Sequence, residues 1–237
     1  MAGKFTVISE NAFNELQIDA GVILNKFDPT NPVAPANEDI VTATTGGITV
    51  SCKPTYSDFF EDVDNAPNNT MEGKHLDGWE CLMSTTALGT TPEAIKLSLG
   101  AADISGATYA LTEDEAIVEG KTYYTRTGTS PNYVYTPVAS PVVADIGTYY
   151  EMVSADNKIV PRANLKHSDF QDLWWVGDKA DGGMVAIQIK NALSTGGFSL
   201  KTTKNGKGNI TLEIMGHVSI SALNEIPMVF YSTNGEE

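Results

Sequence analysis

Histidine, cysteine and cationic side chains are all scarce in this chain. Its 237 residues hold 3 histidines, 2 cysteines and 15 lysines plus arginines against 30 aspartates plus glutamates, a formal charge of −15. So few cations argue against ordinary nucleic-acid binding, which needs clustered lysine and arginine to neutralise phosphates. His75, His167 and His217 lie far apart with no spaced cysteine or carboxylate partners, which argues against a zinc site. Cys52 and Cys81 stand in strand-like stretches and read as buried thiols. No apolar run approaches the roughly 18 residues of a membrane span. The opening MAGKFTVISENAF has one lysine and no apolar stretch, so it does not read as a secretory signal. The expectation is a protein made and assembled in a cytoplasm, without a membrane partner.

Catalytic patterns are equally thin. Gly120-Lys121-Thr122 has the tail of a phosphate-binding loop, but Glu115 stands where the first glycine is required and no helix follows. Asp58, Glu61, Asp62, Asp64 and Asn65 have the composition of a calcium loop. Ala66 falls where a ligand is needed, however, and Pro67 replaces the glycine of the turn. Ser194-Thr195-Gly196-Gly197 lacks the strand–turn–helix setting of a nucleophile elbow. The sequence therefore predicts no enzyme and no cofactor.

What the chain does offer is strands and turns. With 21 glycines and 11 prolines, it favours many short strands over helices. Residues 16–24 read as a strand. Residues 40–45 and 48–54, joined by Gly46-Gly47, read as a hairpin. Residues 57–74 are polar, acidic and rich in turn formers, a long loop of the kind that usually carries function. Residues 79–86 return to a strand. A short helix follows over 93–99, with Thr91 as its cap, Pro92 at the first helical position and Gly100 as its stop. Further strands are expected at 183–189, 198–203, 209–220 and 228–231, with Asn205-Gly206 as a hairpin signal.

Residues 103–155 differ in character, holding Tyr109, Tyr123, Tyr124, Tyr133, Tyr135, Tyr149 and Tyr150. A weak repeat, GKTYYTR at 120–126 and IGTYYEM at 146–152, fits a small inserted β module. The charge is also uneven: 14 acidic against 5 basic residues over 1–102, 7 against 2 over 103–155, and 9 against 8 over 156–237.

The most informative segment is 169–200, DFQDLWWVGDKADGGMVAIQIKNALSTGGFSL. Adjacent residues on a strand point to opposite faces. One of Trp174 and Trp175 is thus expected in the core and the other at solvent or a partner, where tryptophan is enriched at hot spots.

Four segments, LQIDAGVILNKFDP, TGGITVSCKPTYSDFFEDVDNAPNNTMEGK, TPEAIKLSLGAADI and KIVPRANLKHSDFQDLWWVGDKADGGMVAIQIKNALSTGGFSLKTTKNGKG, occur in that order. Together they resemble the major tail tube proteins of long-tailed, siphovirus-type bacteriophages over about residues 13–102 and 157–231. The resemblance implies a mainly β fold, two packed antiparallel sheets forming a β-sandwich with one flanking helix. Residues 1–102 and 157–237 would form that domain, and 103–156 an inserted module on the outside of a tube. It implies hexameric rings that join their inner sheets into a closed barrel and stack into the tube through which DNA is ejected. A tape-measure protein and a tail terminator would be partners during assembly. By the same resemblance, residues 57–74 would reach a neighbouring subunit or ring. Asp58, Phe59, Phe60, Glu61, Asp62 and Asp64 are accordingly interface candidates, with Trp174 and Trp175. An acidic lumen would repel DNA phosphates, and the acids flanking strand residues, Asp19, Glu38, Asp39 and Glu80, are the lumen candidates. The inner tube of a contractile phage-derived particle, which shares the fold, and a carbohydrate- or cell-surface-binding β protein are the alternatives.

Overall fold

The computed structural model describes residues 12–14, 16–130, 132–154 and 157–235. The chain is mainly β, as expected, and contacts divide it into two compact units. One comprises the described residues up to 101 together with 162–235; the other is 102–161. In chain order, the larger unit begins with β1 (Gln17–Leu24), β2 (Thr44–Asp58), β3 (Lys74–Ala87) and α1 (Pro92–Leu99). The smaller unit holds β4 (Ala102–Ser105), β5 (Thr108–Leu111), β6 (Tyr124–Thr129), β7 (Asn132–Pro137), β8 (Tyr150–Ser154) and β9 (Lys158–Pro161). The larger unit resumes with β10 (Gln171–Lys179), β11 (Met184–Ser194), β12 (Leu200–Lys201), β13 (Asn209–Met215) and β14 (Met228–Ser232).

The larger unit is a sandwich of two antiparallel sheets. The first runs β1-β10-β11-β14, and the second runs β2-β3-β13 with β12 beside β13. Their facing sides enclose the core: Ile23, Leu173, Ile187 and Ile189 from the first, Met83, Leu212 and Ile214 from the second. The strand β11 belongs to both sheets. Residues 185–189 lie between β10 and β14, whereas Leu193 and Ser194 pair with β13. Its MVAIQI run is apolar except for Gln188 because both faces are packed: Ile187 and Ile189 enter the core, and Ala186 joins a second cluster behind the sheet.

That second cluster sits on the far face of the first sheet. Residues 25–41 leave β1 and come back to it, closed by Asn25 N–H to Asp39 O at 2.9 Å and Val41 N–H to Ile23 O at 3.0 Å. Phe27 and Ile40 of this arm, with Tyr231, cover Leu24, Trp174 and Ala186.

The helix α1 forms as its sequence signals predict. Thr91 Oγ1 accepts from Ala94 N at 3.2 Å, Pro92 starts the first turn, and Gly100 ends it at φ 73°. The glycine pair at 46–47 does not make the expected hairpin turn. Both residues lie inside β2 at φ 76° and 82° as a bulge between Thr45 and Ile48, and Gly47 O accepts from the Thr85 hydroxyl at 2.9 Å. Positive φ serves a bulge as readily as a turn, so the partner strand, not the glycines, decides. The strand expected over 198–203 shrinks to β12, and that over 209–220 ends at Met215. In the smaller unit the two TYY repeats meet, since Tyr124 is the cross-strand partner of Tyr150.

Asn191 turns β11 from one sheet to the other. It adopts φ 48°, its amide N–H donates to Asp172 Oδ1 at 3.0 Å, and its Nδ2 donates to His217 O at 3.0 Å. Asparagine tolerates the left-handed region because its short polar side chain bonds locally. Asn191→Ala should destabilise the protein by about 1–3 kcal/mol, the summed loss of a side-chain hydrogen bond and left-handed tolerance. Asn191→Gly, which keeps the backbone freedom, should cost less. Urea unfolding of both variants checks the order, and a glycine variant less stable than the alanine one would refute this role.

Candidate functional site

The strands β2 and β3 form a hairpin longer than the sandwich beneath it. Its antiparallel pairing runs from Thr44↔Ala87 to Asp58↔Lys74, with irregularities between Thr45 and Ile48 and between Thr55 and Tyr56. Ile48, Val50 and Cys52 on β2 pack against the core, but residues 53–56 and 74–77 are exposed whichever way they point. The distal half of the hairpin therefore projects from the sandwich. Tyr56 and Leu76, directly paired, are 59% and 45% exposed there.

Residues 59–73 close the tip, so strand pairing extends into both ends of the loop expected over 57–74. Asp58 organises it: its carboxylate accepts from Phe60 N–H at 3.0 Å and Asn69 N–H at 3.2 Å, and pairs with Lys74 Nζ at 3.1 Å. The Phe60 amide, then Lys74, holds this carboxyl below the usual aspartate range. Phe60 packs on the buried Gly73, where an added Cβ would lie 2.8 Å from Asp58 Oδ1 and 3.0 Å from the Phe60 ring. Asp58 and Phe60 thus build the loop. Phe59, 67% exposed with its ring 5.3 Å from that of His75, faces outward, as do Glu61, Asp62 and Asp64. Val63 and Met71 add exposed apolar area beside them. The tip carries exposed apolar side chains among acidic ones.

The far face of the second sheet is bare. Side chains alternating with the core residues point there: Thr49, Ser51 and Lys53 on β2, Glu80, Leu82, Ser84 and Thr86 on β3, Thr211, Glu213 and Met215 on β13, with the half-buried Leu82 and Met215 paired as its apolar centre. The face is rich in hydroxyls and carries little charge, with Glu80 opposite Lys53.

The two tryptophans do take opposite faces of β10; Trp174 is buried and Trp175 half-buried. Trp175 packs against the core and donates its indole N–H to Ala20 O at 3.0 Å, beneath a bulge of β1. Gly21 in that bulge sits at φ 69°, and a Cβ there would lie 2.5 Å from Val176 O and 2.6 Å from Trp175 Nε1. Trp174, on the other face, is only 7% exposed, covered by Phe27 at 5.7 Å and Tyr231 at 5.6 Å between ring centroids. The chain's own arm occupies the place expected for solvent or a partner.

The four candidate lumen acids do not share a surface. Glu80 lies on the bare face of the second sheet, Asp19 in the β1 bulge at φ 58°, and Glu38 and Asp39 on the arm behind the first sheet. Sequence adjacency to strands could not separate these places. Glu213 lies on the same face as Glu80, alternating with Leu212 and Ile214 in a plain period of two.

A cleft of about 610 Å³ lies between β1, β10 and residues 32–35. Its lining is mostly apolar and backbone, with the carboxylates Asp19 and Asp178 and the Thr233 hydroxyl as its polar side chains. Lys121, in the segment resembling a phosphate loop, is paired with Asp114 at 2.7 Å and Glu151 at 2.8 Å.

In the smaller unit the tyrosines pack on one another. Tyr109 stacks on Tyr135 at 4.0 Å, and Arg126 lies 4.4 Å from the Tyr133 ring and 4.7 Å from that of Tyr150. Tyr123 is fully buried and donates its hydroxyl to Asp114 at 2.7 Å. These rings supply the apolar layer of a four-stranded sheet, β5-β8-β6-β7.

Among the described residues no helix is long and apolar enough to cross a membrane, and no group of three or more His, Cys, Asp or Glu is placed to hold a metal. No family model matches the chain, and no curated protein matches it either.

Because the Asp58 pKa is lowered by folding, its contribution is present above the unfolded value near 3.9 and is lost as pH falls through the lower folded value. Asp58→Asn should speed amide exchange at Phe60 and Asn69 at neutral pH while leaving the core amides protected. In the wild type the same amides should lose protection only below about pH 4. Hydrogen exchange read by NMR checks both, and unchanged exchange in the variant would refute the organising role.

Proposed function

We propose that this protein is the structural subunit of a long-tailed phage tail tube, polymerising as stacked hexameric rings. The observation that carries the reading is the hairpin that runs on past its own core and ends in an apolar tip. An isolated subunit has no reason to hold Tyr56, Phe59, Val63, Met71 and Leu76 out in water. A subunit that lays its hairpin on the next one does, and such a contact joins unlike patches, which is what a ring or stack requires. Open sheet edges support it too: β1 and β14 flank the first sheet and β2 the second. Unpaired edges invite strand addition, and joining them across subunits would close the sheets.

The tube reading also assigns the two sheet faces. The far side of the first sheet is covered by residues 25–41, whereas the far side of the second is uncovered and mostly polar, Leu82 and Met215 apart. A channel wall must be solvated, so the second sheet lines the lumen, with Glu80 and Glu213 as its acids. Hydroxyls with a slight acidic excess give DNA a hydrated wall and no cation cluster to stick to.

Purified protein should form tubes by electron microscopy. Deleting residues 62–69 should leave a folded protein, judged by circular dichroism and thermal melting, that no longer polymerises. Tubes of normal length from that deletion would remove the hairpin from the assembly contact, and a wild type that stays monomeric at every concentration would sink the proposal.

The double variant Glu80→Lys, Glu213→Lys adds two cations per subunit to the wall. Tubes should persist, but DNA passage should slow, with the delay shrinking as salt rises because the added affinity is counterion release. Ejection kinetics at two salt concentrations check this. Unchanged kinetics would place the lumen on another face.

A further inference from the structure

Cys52 and Cys81 are free thiols held directly opposite one another on β2 and β3, with their sulfurs 3.0 Å apart. Disulfide formation needs about 2.05 Å, so an approach of roughly 1 Å would join them. Directly opposed residues on antiparallel strands already have neighbouring Cβ atoms, within the span a disulfide bridges.

Their place in the hairpin gives the pair meaning. Along the core-facing side the cross-strand pairs run Val50↔Met83, Cys52↔Cys81, Pro54↔Trp79. Beyond them both strands are exposed. The two thiols therefore sit at the root of the projecting hairpin, where it leaves the sandwich. Ordinary packing would be served there by two aliphatic residues, as at Val50 and Met83.

The thiols differ in access. Cys81 is fully buried and burial pushes its pKa up to about 12, whereas Cys52 is half-buried. A thiolate is the reacting form and needs a path to its partner. Only Cys52 can meet a reagent from solvent.

We propose that Cys52 and Cys81 are an oxidation site, at which a small-molecule disulfide is reduced while the pair closes into an intrachain disulfide at the hairpin root. Cys52 attacks one sulfur of the reagent, forming a mixed disulfide and releasing the first small thiol with the proton that Cys52 gives up. Cys81 then attacks the Cys52 sulfur, breaking the mixed disulfide and releasing the second small thiol with its own proton. Two protein thiols are oxidised and one disulfide is reduced to two thiols. The product ties β2 to β3 around residues 53–80, and the arm is then anchored covalently where it emerges. This goes beyond the assembly reading and does not depend on it.

The test uses the full chain, reduced and then exposed to oxidised glutathione. Non-reducing gels, intact mass and thiol titration after unfolding report the outcome. The wild type should lose both titratable thiols, become lighter by two hydrogen atoms and remain a single chain. Cys81→Ser should stop at the mixed disulfide on Cys52, and Cys52→Ser should react at least about tenfold more slowly, its remaining thiol being buried. Circular dichroism confirms that each variant is folded, and the wild-type result stands without them. Two surviving thiols in the wild type, a lasting glutathione adduct on it, or cross-linked chains would each overturn the proposal. So would a Cys52→Ser variant that reacts as fast as Cys81→Ser.

Discussion

The larger unit depends on one strand serving two sheets. While β11 runs between β10 and β14 it is packed on both faces, because the core lies on one side and the Trp174 cluster on the other. Past Asn191 it pairs with β13 instead, which fixes the second sheet against the first. The sandwich is thereby held by continuous backbone as well as by packing. Asp172, His217 and the left-handed Asn191 hold the switch point through three different segments. With the sheets so fixed, the positions of the hairpin and the bare face follow.

That arrangement separates the surfaces the chain covers itself from those it leaves open. The first sheet closes its own far face with residues 25–41, and Trp174, the side chain best suited to an interface, is used inside the chain. The second sheet closes nothing. Its hydroxyl-bearing face and the projecting end of its hairpin remain open, and the exposed apolar residues there are concentrated at the tip. Asp58 stiffens this tip by tying Phe60, Asn69 and Lys74 together, so the outward Phe59 sits on an organised loop. A preorganised tip loses less entropy on docking than a floppy one.

The charge of −15 divides along the same lines. Glu61, Asp62 and Asp64 surround the hairpin tip, and Asp114 and Glu151 are tied up with Lys121 inside the smaller unit. The bare face keeps only Glu80, which faces Lys53, and Glu213. Its resistance to a polyanion would rest on the absence of clustered cations more than on strong repulsion, which screening confines to about 8 Å at physiological salt.

The sequence by itself determined the elements whose signals are local. Helix α1 was legible because capping by Thr91, Pro92 at the start and Gly100 at the end act within one turn. The β-rich class, most strand positions and the opposite faces of Trp174 and Trp175 followed from short-range periodicity. The tertiary structure decided everything that depends on which strand lies alongside. Gly46 and Gly47 carry positive φ either way, and only the pairing of β2 with β3 makes them a bulge instead of a turn. Trp174 is covered because residues 25–41 fold back over it, a contact between segments about 140 residues apart that no local pattern encodes. For the same reason the acids Asp19, Glu38, Asp39 and Glu80 scatter over three places, while Cys52 and Cys81 meet across a register set by the whole hairpin.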